Sequence, residues 1–122
     1  DVPGTDSPGA AMFTEMAKAA GFESGPFAPE SYDAAALLIL AMQAAKSTDS
    51  QDFKSKVMDV ANAPGQKVFP GDLGKALEHI ANGGDVDYVG ASAVELIGPG
   101  ESAGSYKEIL VKGGKNTTVG YR

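Results

Sequence analysis

Residues Gly100 to Gly104 match a pattern that many hydrolases use. Their sequence, GESAG, fits Gly-x-Ser-x-Gly, in which a sharp strand-to-helix turn exposes a serine nucleophile to a histidine base. The one histidine of the chain, His79, precedes Ser102, whereas these hydrolases place the histidine after the serine. Only 18 residues follow Gly104, and they contain one acid, Glu108. We therefore expect a flexible turn here, with an esterase that depends on Ser102 as the alternative.

Few other residues have side chains suited to catalysis or metal binding. His79, near the end of a predicted helix, could bind a metal ion, cap helix carbonyls or face solvent, but the chain has no cysteine and no second histidine to complete a site. Asp85 and Asp87 alternate along a predicted strand, so their carboxylates share one side, as paired catalytic acids would. Exposure at a sheet edge is the simpler interpretation. We predict no catalytic residue, no metal ligand and no cofactor.

The composition indicates an acidic protein with a modest core. The chain has 122 residues, a formal net charge of −6 and no cysteine. Nucleic acid is excluded as a partner, because phosphate binding needs clustered Lys and Arg, and no such cluster exists. Leu, Ile, Val and Phe number only 25, and much of the apolar fraction is alanine, which buries little area. A partner surface is therefore expected to complete the core.

Helical patterns fill the first half of the chain. Residues 34–42 are all apolar, too few to cross a bilayer but enough to leave a helix without a polar face in its middle. Such a helix must be covered on most sides. Spacing and capping residues predict helices near 8–20, 32–46, 50–61 and 72–82. The expected N-terminal caps of the first three are Ser7, Ser31, and Asp49 or Ser50.

Strand patterns are concentrated in the tail. Predicted strands cover 68–69, 86–89, 93–97, 105–112 and 117–121, with Gly113-Gly114 as the turn of a final hairpin. An α/β fold interleaves strands with helices, yet nothing before residue 66 reads as a strand. The predicted fold class is α/β, with the central parallel sheet largely missing from this chain.

Three segments resemble one family of proteins. They are SYDAAALLILAMQAA, KVFPGDLGKALEHIANGGDVDYVGASAVEL and GSYKEILVKGGKNTTVG, which together are similar to the C-terminal third of the periplasmic branched-chain amino acid (Leu/Ile/Val) receptors of ABC transporters. DVDYVGAS is the most specific piece. The loop after it departs from the family pattern, with Ala93 and Gly98-Pro99-Gly100 in place of a glycine and an Asn-Gly turn.

The resemblance implies a type I periplasmic binding protein with two lobes that close on a small solute. Residues 1–103 would complete the first lobe, and residues 104–122 would form the last crossover and the C-terminal hairpin of the second. The aromatic residue of the family's Tyr-Asp-Ala motif, Tyr32 here, would contact the ligand at the cleft. On residue chemistry alone, packing at the start of its helix is the favoured role of Tyr32, and only the resemblance makes ligand contact an equal alternative.

The implied function is capture of an amino acid or similar small polar solute in the periplasm and its delivery to ABC permease subunits, without enzymatic activity. The alternative is a ligand-sensing regulatory module of the same fold. The chain begins at Asp1 without a signal peptide, which we interpret as a segment of something larger. If the segment folds alone, a homodimer or swapped assembly is expected to cover its apolar helix.

Overall fold

The computed structural model describes residues 8–104 and 106–122, which combine helices with short strands. The helices are α1 (Pro8–Ala19), α2 (Ala28–Ala45), α3 (Ser50–Phe53), α4 (Lys56–Ala61) and α5 (Leu73–Ala81). The strands are β1 (Gln66–Val68), β2 (Val86–Tyr88), β3 (Glu95–Gly98), β4 (Glu101–Ala103), β5 (Lys107–Lys112) and β6 (Lys115–Tyr121). Helices come first and strands fill the tail, as the sequence predicts.

The first helix confirms its sequence prediction. α1 starts at Pro8, whose fixed φ suits the first turn of a helix, and Phe13 and Ala17 are buried one turn apart. The predicted cap, Ser7, lies outside the described residues. Gly21 follows the helix with φ 77°, the left-handed conformation that commonly ends a helix.

The second helix begins earlier than predicted. α2 starts at Ala28, with Pro29 in its first turn, instead of near residue 32. Ser31 is therefore not the cap: it lies inside the first turn, where its hydroxyl donates a hydrogen bond to the Phe27 carbonyl at 2.8 Å. Proline is tolerated in a first turn because its missing N–H has no partner there in any helix. The early start places Asp33 inside the helix body.

One side of α2 is buried and the other is not. Leu37 and Leu40 are 5% and 0% exposed, whereas Leu38 and Ile39 on the opposite side are 43% and 45% exposed. The buried side packs against α4 and α5. The sequence predicts that this helix is covered on most sides, but the structure covers only one side.

The predicted helix over 50–61 is wrong in one respect, because it is two helices. Asp49 caps α3 as expected, its carboxylate accepting a hydrogen bond from the Gln51 N–H at 2.8 Å. A turn at Lys54 and Ser55 then separates α3 from α4. Neither side chain is buried, so no core contact holds these two residues in a continuous helix.

A small parallel sheet forms the centre of the fold. β1 and β2 pair in parallel, Val68 opposite Tyr88, and α5 connects them. The core cluster gathers side chains of these strands and of α2 to α5 around the buried pair Val86 and Tyr88. Among the described residues this is the one parallel pair, which fits the expected shortage of central sheet.

The tail forms two antiparallel hairpins. β3 pairs with β4, and β5 pairs with β6 across a turn at Gly113 and Gly114, which confirms the predicted final hairpin. Every described residue of β5 and β6 is exposed except the half-buried Gly120. Over residues 8–104 and 106–122, no helix combines the length and apolarity needed to span a membrane.

Candidate functional site

Tyr32 lies on α2, half-buried between two neighbouring segments. Its ring packs against Phe13 of α1, with ring centroids 5.4 Å apart. Its hydroxyl accepts a hydrogen bond from the backbone N–H of Gly71, in the loop between β1 and α5, at 3.4 Å. Tyr32 therefore joins α1, α2 and the loop that follows β1, and it keeps part of its surface open to solvent.

The adjacent residue, Asp33, is the buried centre of this region. Its side chain is 1% exposed. One carboxylate oxygen accepts hydrogen bonds from the Tyr88 hydroxyl at 2.8 Å and the Ala91 N–H at 2.7 Å. The other accepts from the N–H and the hydroxyl of Ser92, at 2.7 and 2.5 Å. Four donors thus hold one carboxylate, and they all come from the end of β2 and the loop after it.

No cation takes part in this arrangement among the residues that the structure describes, whose ion pairs lie elsewhere. Burying a carboxylate without a counter-ion is costly unless hydrogen bonds replace the lost water. Backbone N–H groups and hydroxyls do so here, as they do for bound anions in backbone nests. Asp33 therefore ties the start of α2 to the loop 89–92.

Two glycines allow this close approach. A Cβ on Gly90 would lie 2.6 Å from the Asp33 Oδ2 atom, and Gly90 has φ 75°, which side chains rarely adopt. Gly9 of α1 packs directly against the Gly90 carbonyl, and a Cβ there would overlap it. The loop after β2 is therefore held between α1 and the Asp33 carboxylate.

The carboxylate also affects its tyrosine partner. Burial is the main reason that the pKa of the Tyr88 hydroxyl is raised well above its usual value, and the hydrogen bond to Asp33 adds to it. Ionisation would place a phenolate beside a carboxylate inside the core. Tyr88 is therefore a hydrogen-bond donor here and not an acid–base catalyst at neutral pH.

An open groove of about 480 Å³ lies next to Tyr32, between α1 and the loop after β1. Its lining is Ala11, Met12, Glu15, Met16, Pro70, Gly71 and Asp72. Gly71, the donor to the Tyr32 hydroxyl, therefore also lines the groove. Methionines provide apolar surface, while Glu15 and Asp72 contribute carboxylates. In α/β sheets, ligands bind beyond the carboxyl ends of the strands, and this groove lies beyond that end of β1.

The other candidate residues of the sequence are scattered. Ser102 is exposed on β4, and a further strand follows it where a nucleophile elbow requires a helix. The predicted flexible turn is confined to Pro99 and Gly100, since 101–103 form a strand. A ring nitrogen of His79 lies 3.1 Å from the Asp85 carbonyl oxygen. Within the described ranges, no three His, Asp or Glu side chains are grouped to hold a metal ion.

The sequence did not reveal the role of Asp33. Its position next to Tyr32 suggested only a favourable charge in the first turn of a helix. The signal that could have found it is an acidic residue immediately before a long apolar run, combined with a Tyr-x-Gly-x-Ser pattern at 88–92 that supplies hydroxyl and N–H donors.

Comparisons of the chain with protein-family models, with curated proteins and with solved structures find no match.

Proposed function

We propose that this protein is the solute-binding component of an ABC importer, located in the periplasm and similar to the branched-chain amino acid receptors. It binds an amino acid or similar small polar solute in a cleft and presents it to the permease subunits. No bond is made or broken. The proposal rests on the sequence resemblance and, above all, on one structural observation: Asp33 binds the residues of DVDYVGAS.

That observation supports the proposal because it joins the segments that carry the resemblance. Asp33 belongs to the Tyr-Asp-Ala motif, and its four donors all belong to Tyr88, Ala91 and Ser92 of the second motif. Asp33 and these three residues are 55 to 59 positions apart in the chain. The resemblance assigns both segments to one fold, and a buried unit that joins them agrees with that assignment.

The groove beside Tyr32 suits the chemistry of the proposed solute. Met12 and Met16 are partly exposed there and offer adaptable contact to an aliphatic side chain. Glu15 and Asp72 can attract an ammonium group. Tyr32 does not line the groove, but its hydroxyl contacts Gly71, which does, and it offers an aromatic residue with a polar end beside the groove. Opposing contacts from a second lobe would close the site, since binding proteins of this type grip the solute from both sides.

A thermal-shift screen tests the proposal. The protein encoded by the complete reading frame around this sequence would be heated with each of the twenty amino acids. A ligand that binds only the folded state stabilises it by about 2.7 kcal/mol at 100 times its Kd, so one or a few aliphatic amino acids should raise the Tm by several degrees. An unchanged Tm with all twenty would contradict an amino acid as the solute. Neighbouring genes for a permease and an ATPase would distinguish transport from ligand sensing.

A further inference from the structure

The C-terminal end of α5 carries the one Asn-Gly pair of the sequence. The chain has three asparagines, Asn62, Asn82 and Asn116, and only Asn82 is followed by glycine. In such a pair the backbone nitrogen of the glycine can approach the side-chain carbonyl carbon of the asparagine, because glycine has no Cβ in the way and rotates freely. Asn82 is exposed, and among the described residues its side-chain amide has no hydrogen-bond partner. No contact therefore holds this amide away from reaction.

The reaction open to an Asn-Gly pair is deamidation, which uses only water. The Gly83 nitrogen forms a bond to the Cγ atom of Asn82 while the bond from Cγ to the amide nitrogen breaks. That nitrogen leaves as ammonia and takes the proton of the Gly83 N–H, and a succinimide ring remains. Water then adds to one of the two ring carbonyls and opens the ring. The product is aspartate or, when the chain continues through the side-chain carbonyl, isoaspartate.

The folded structure holds the pair in a geometry that cannot close the ring. The Gly83 N–H donates a hydrogen bond to the Ile80 carbonyl at 2.9 Å, so the attacking nitrogen is occupied. Asn82 has φ −85° and ψ 9°, close to the helical conformation. Ring closure brings the Gly83 nitrogen into the plane of the Asn82 C, Cα and Cβ atoms, and ψ must rotate far from 9° to do so. The end of α5 must therefore open before Asn82 can react.

Contacts of His79 resist that opening. Its ring nitrogen lies 3.1 Å from the Asp85 carbonyl oxygen, and this nitrogen is the donor because a carbonyl only accepts. The imidazole also covers Gly84, where a Cβ would overlap the ring, and the Gly84 N–H donates to the His79 carbonyl at 3.0 Å. We call these contacts the His79 latch. They connect the residues on both sides of Asn82 and Gly83, so the pair cannot rotate while they hold.

We propose that Asn82 is a site of spontaneous deamidation and that the His79 latch sets its rate. When the helix end opens and closes faster than the reaction, the rate follows the fraction of open molecules. Conversion places a carboxylate at the C-terminal end of α5, where the helix dipole is also negative, and four residues after Glu78. The modified helix end is therefore less stable. This modification is independent of the proposed solute binding.

Peptide mapping by mass spectrometry on the full 122-residue chain tests the proposal. Trypsin, which cleaves after lysine and arginine, places the three asparagines in separate peptides, 57–67, 76–107 and 116–122. In mildly alkaline buffer, Asn82 should convert before the other two asparagines. In denaturant its rate should rise at least about tenfold, because the helix end is then fully open. The other two asparagines provide internal controls in the same digest.

Two variants test the latch in the folded chain. His79→Ala should raise the conversion rate at Asn82 by about threefold or more, since it removes the hydrogen bond to Asp85. Lys75→Ala is the matched control, because it shortens an exposed side chain of the same helix, and it should leave the rate unchanged. Circular dichroism checks that both variants are folded.

The site is disproved if Asn82 converts no faster than Asn62 and Asn116 in denaturant. Equal rates at Asn82 in the folded and the denatured chain would overturn the control by the fold. Equal rates in folded His79→Ala and Lys75→Ala would remove His79 from that control.

Discussion

At the scale of single residues, Asp33 occupies the energetically most demanding position in the structure. A carboxyl group that is almost completely buried needs hydrogen bonds to replace the water contacts that it loses. Here two backbone N–H groups and two hydroxyls provide them, and no cation takes part among the described residues. Neighbouring Tyr32, the residue expected at the ligand, is attached to the same helix turn. Its placement therefore depends on the Asp33 contacts.

Replacing Asp33 by asparagine should lower the free energy of unfolding by about 3 kcal/mol. The amide nitrogen of asparagine cannot accept the hydrogen bonds that one carboxylate oxygen receives, so buried donors lose their partner. Glu30→Gln is the control, since it removes an exposed charge from the same helix and should cost about 0.5 kcal/mol. Chemical denaturation measures both. Equal effects of the two substitutions would contradict the role assigned to Asp33.

Tyr88 should make the protein sensitive to alkaline pH. Its pKa is raised in the folded state above the ordinary value of 10.0, because burial and the hydrogen bond to Asp33 disfavour ionisation. The stabilisation is therefore complete below about pH 10 and is lost as the pH rises above it. Tyr88→Phe should cost about 1–2 kcal/mol at neutral pH and should flatten the decline above pH 10. Parallel stability curves for the two proteins would contradict this.

At the scale of elements, the sequence predicted the helices and strands that depend on a local pattern of apolar residues. The first helix, the fourth predicted helix and the Gly113-Gly114 hairpin are found near their expected positions. The start of α2 at Ala28 was missed because Pro26 and Pro29 are typical of an irregular connection, which placed the expected start of the helix after them. The division between α3 and α4 was missed because spacing of Phe53, Val57 and Val60 fits one continuous helix equally well.

The candidate site was predictable only in part. Tyr32 was named from the family resemblance, and the structure places it against Phe13 and Gly71 beside an open groove. The Asp33 contacts could not be predicted from spacing, because they join residues 55 to 59 positions apart. Contacts of that separation depend on how α2 packs across the sheet, and the pattern of apolar residues does not fix that packing.

Shortening a side chain to alanine should cost more stability on the buried side of α2 than on its exposed side. Leu40→Ala removes a completely buried side chain and should cost about 3 kcal/mol, since the cavity adds to the lost burial. Leu38→Ala, two residues earlier on the exposed side, should cost about 0.5 kcal/mol. Chemical denaturation provides both values. A large loss for Leu38→Ala would contradict the exposure of this side of the helix.

At the scale of the whole molecule, the described chain has a helical core around one small parallel sheet. Two apolar surfaces of the described residues are exposed: the side of α2 with Leu38 and Ile39, and the β5–β6 hairpin. In the proposed two-lobed receptor, further sheet and a second lobe would cover them and would complete a cleft at Tyr32.

Titration calorimetry of the protein encoded by the complete reading frame, with leucine, isoleucine and valine, tests the solute-binding function most directly. We predict saturable binding of one solute per protein. Tyr32→Ala should weaken that binding at least about tenfold, or about 1.4 kcal/mol, in a protein that stays folded by circular dichroism. Ser31→Ala, the exposed neighbour, should leave it unchanged. Absence of binding, or equal affinity of the wild-type and Tyr32→Ala proteins, would contradict the account.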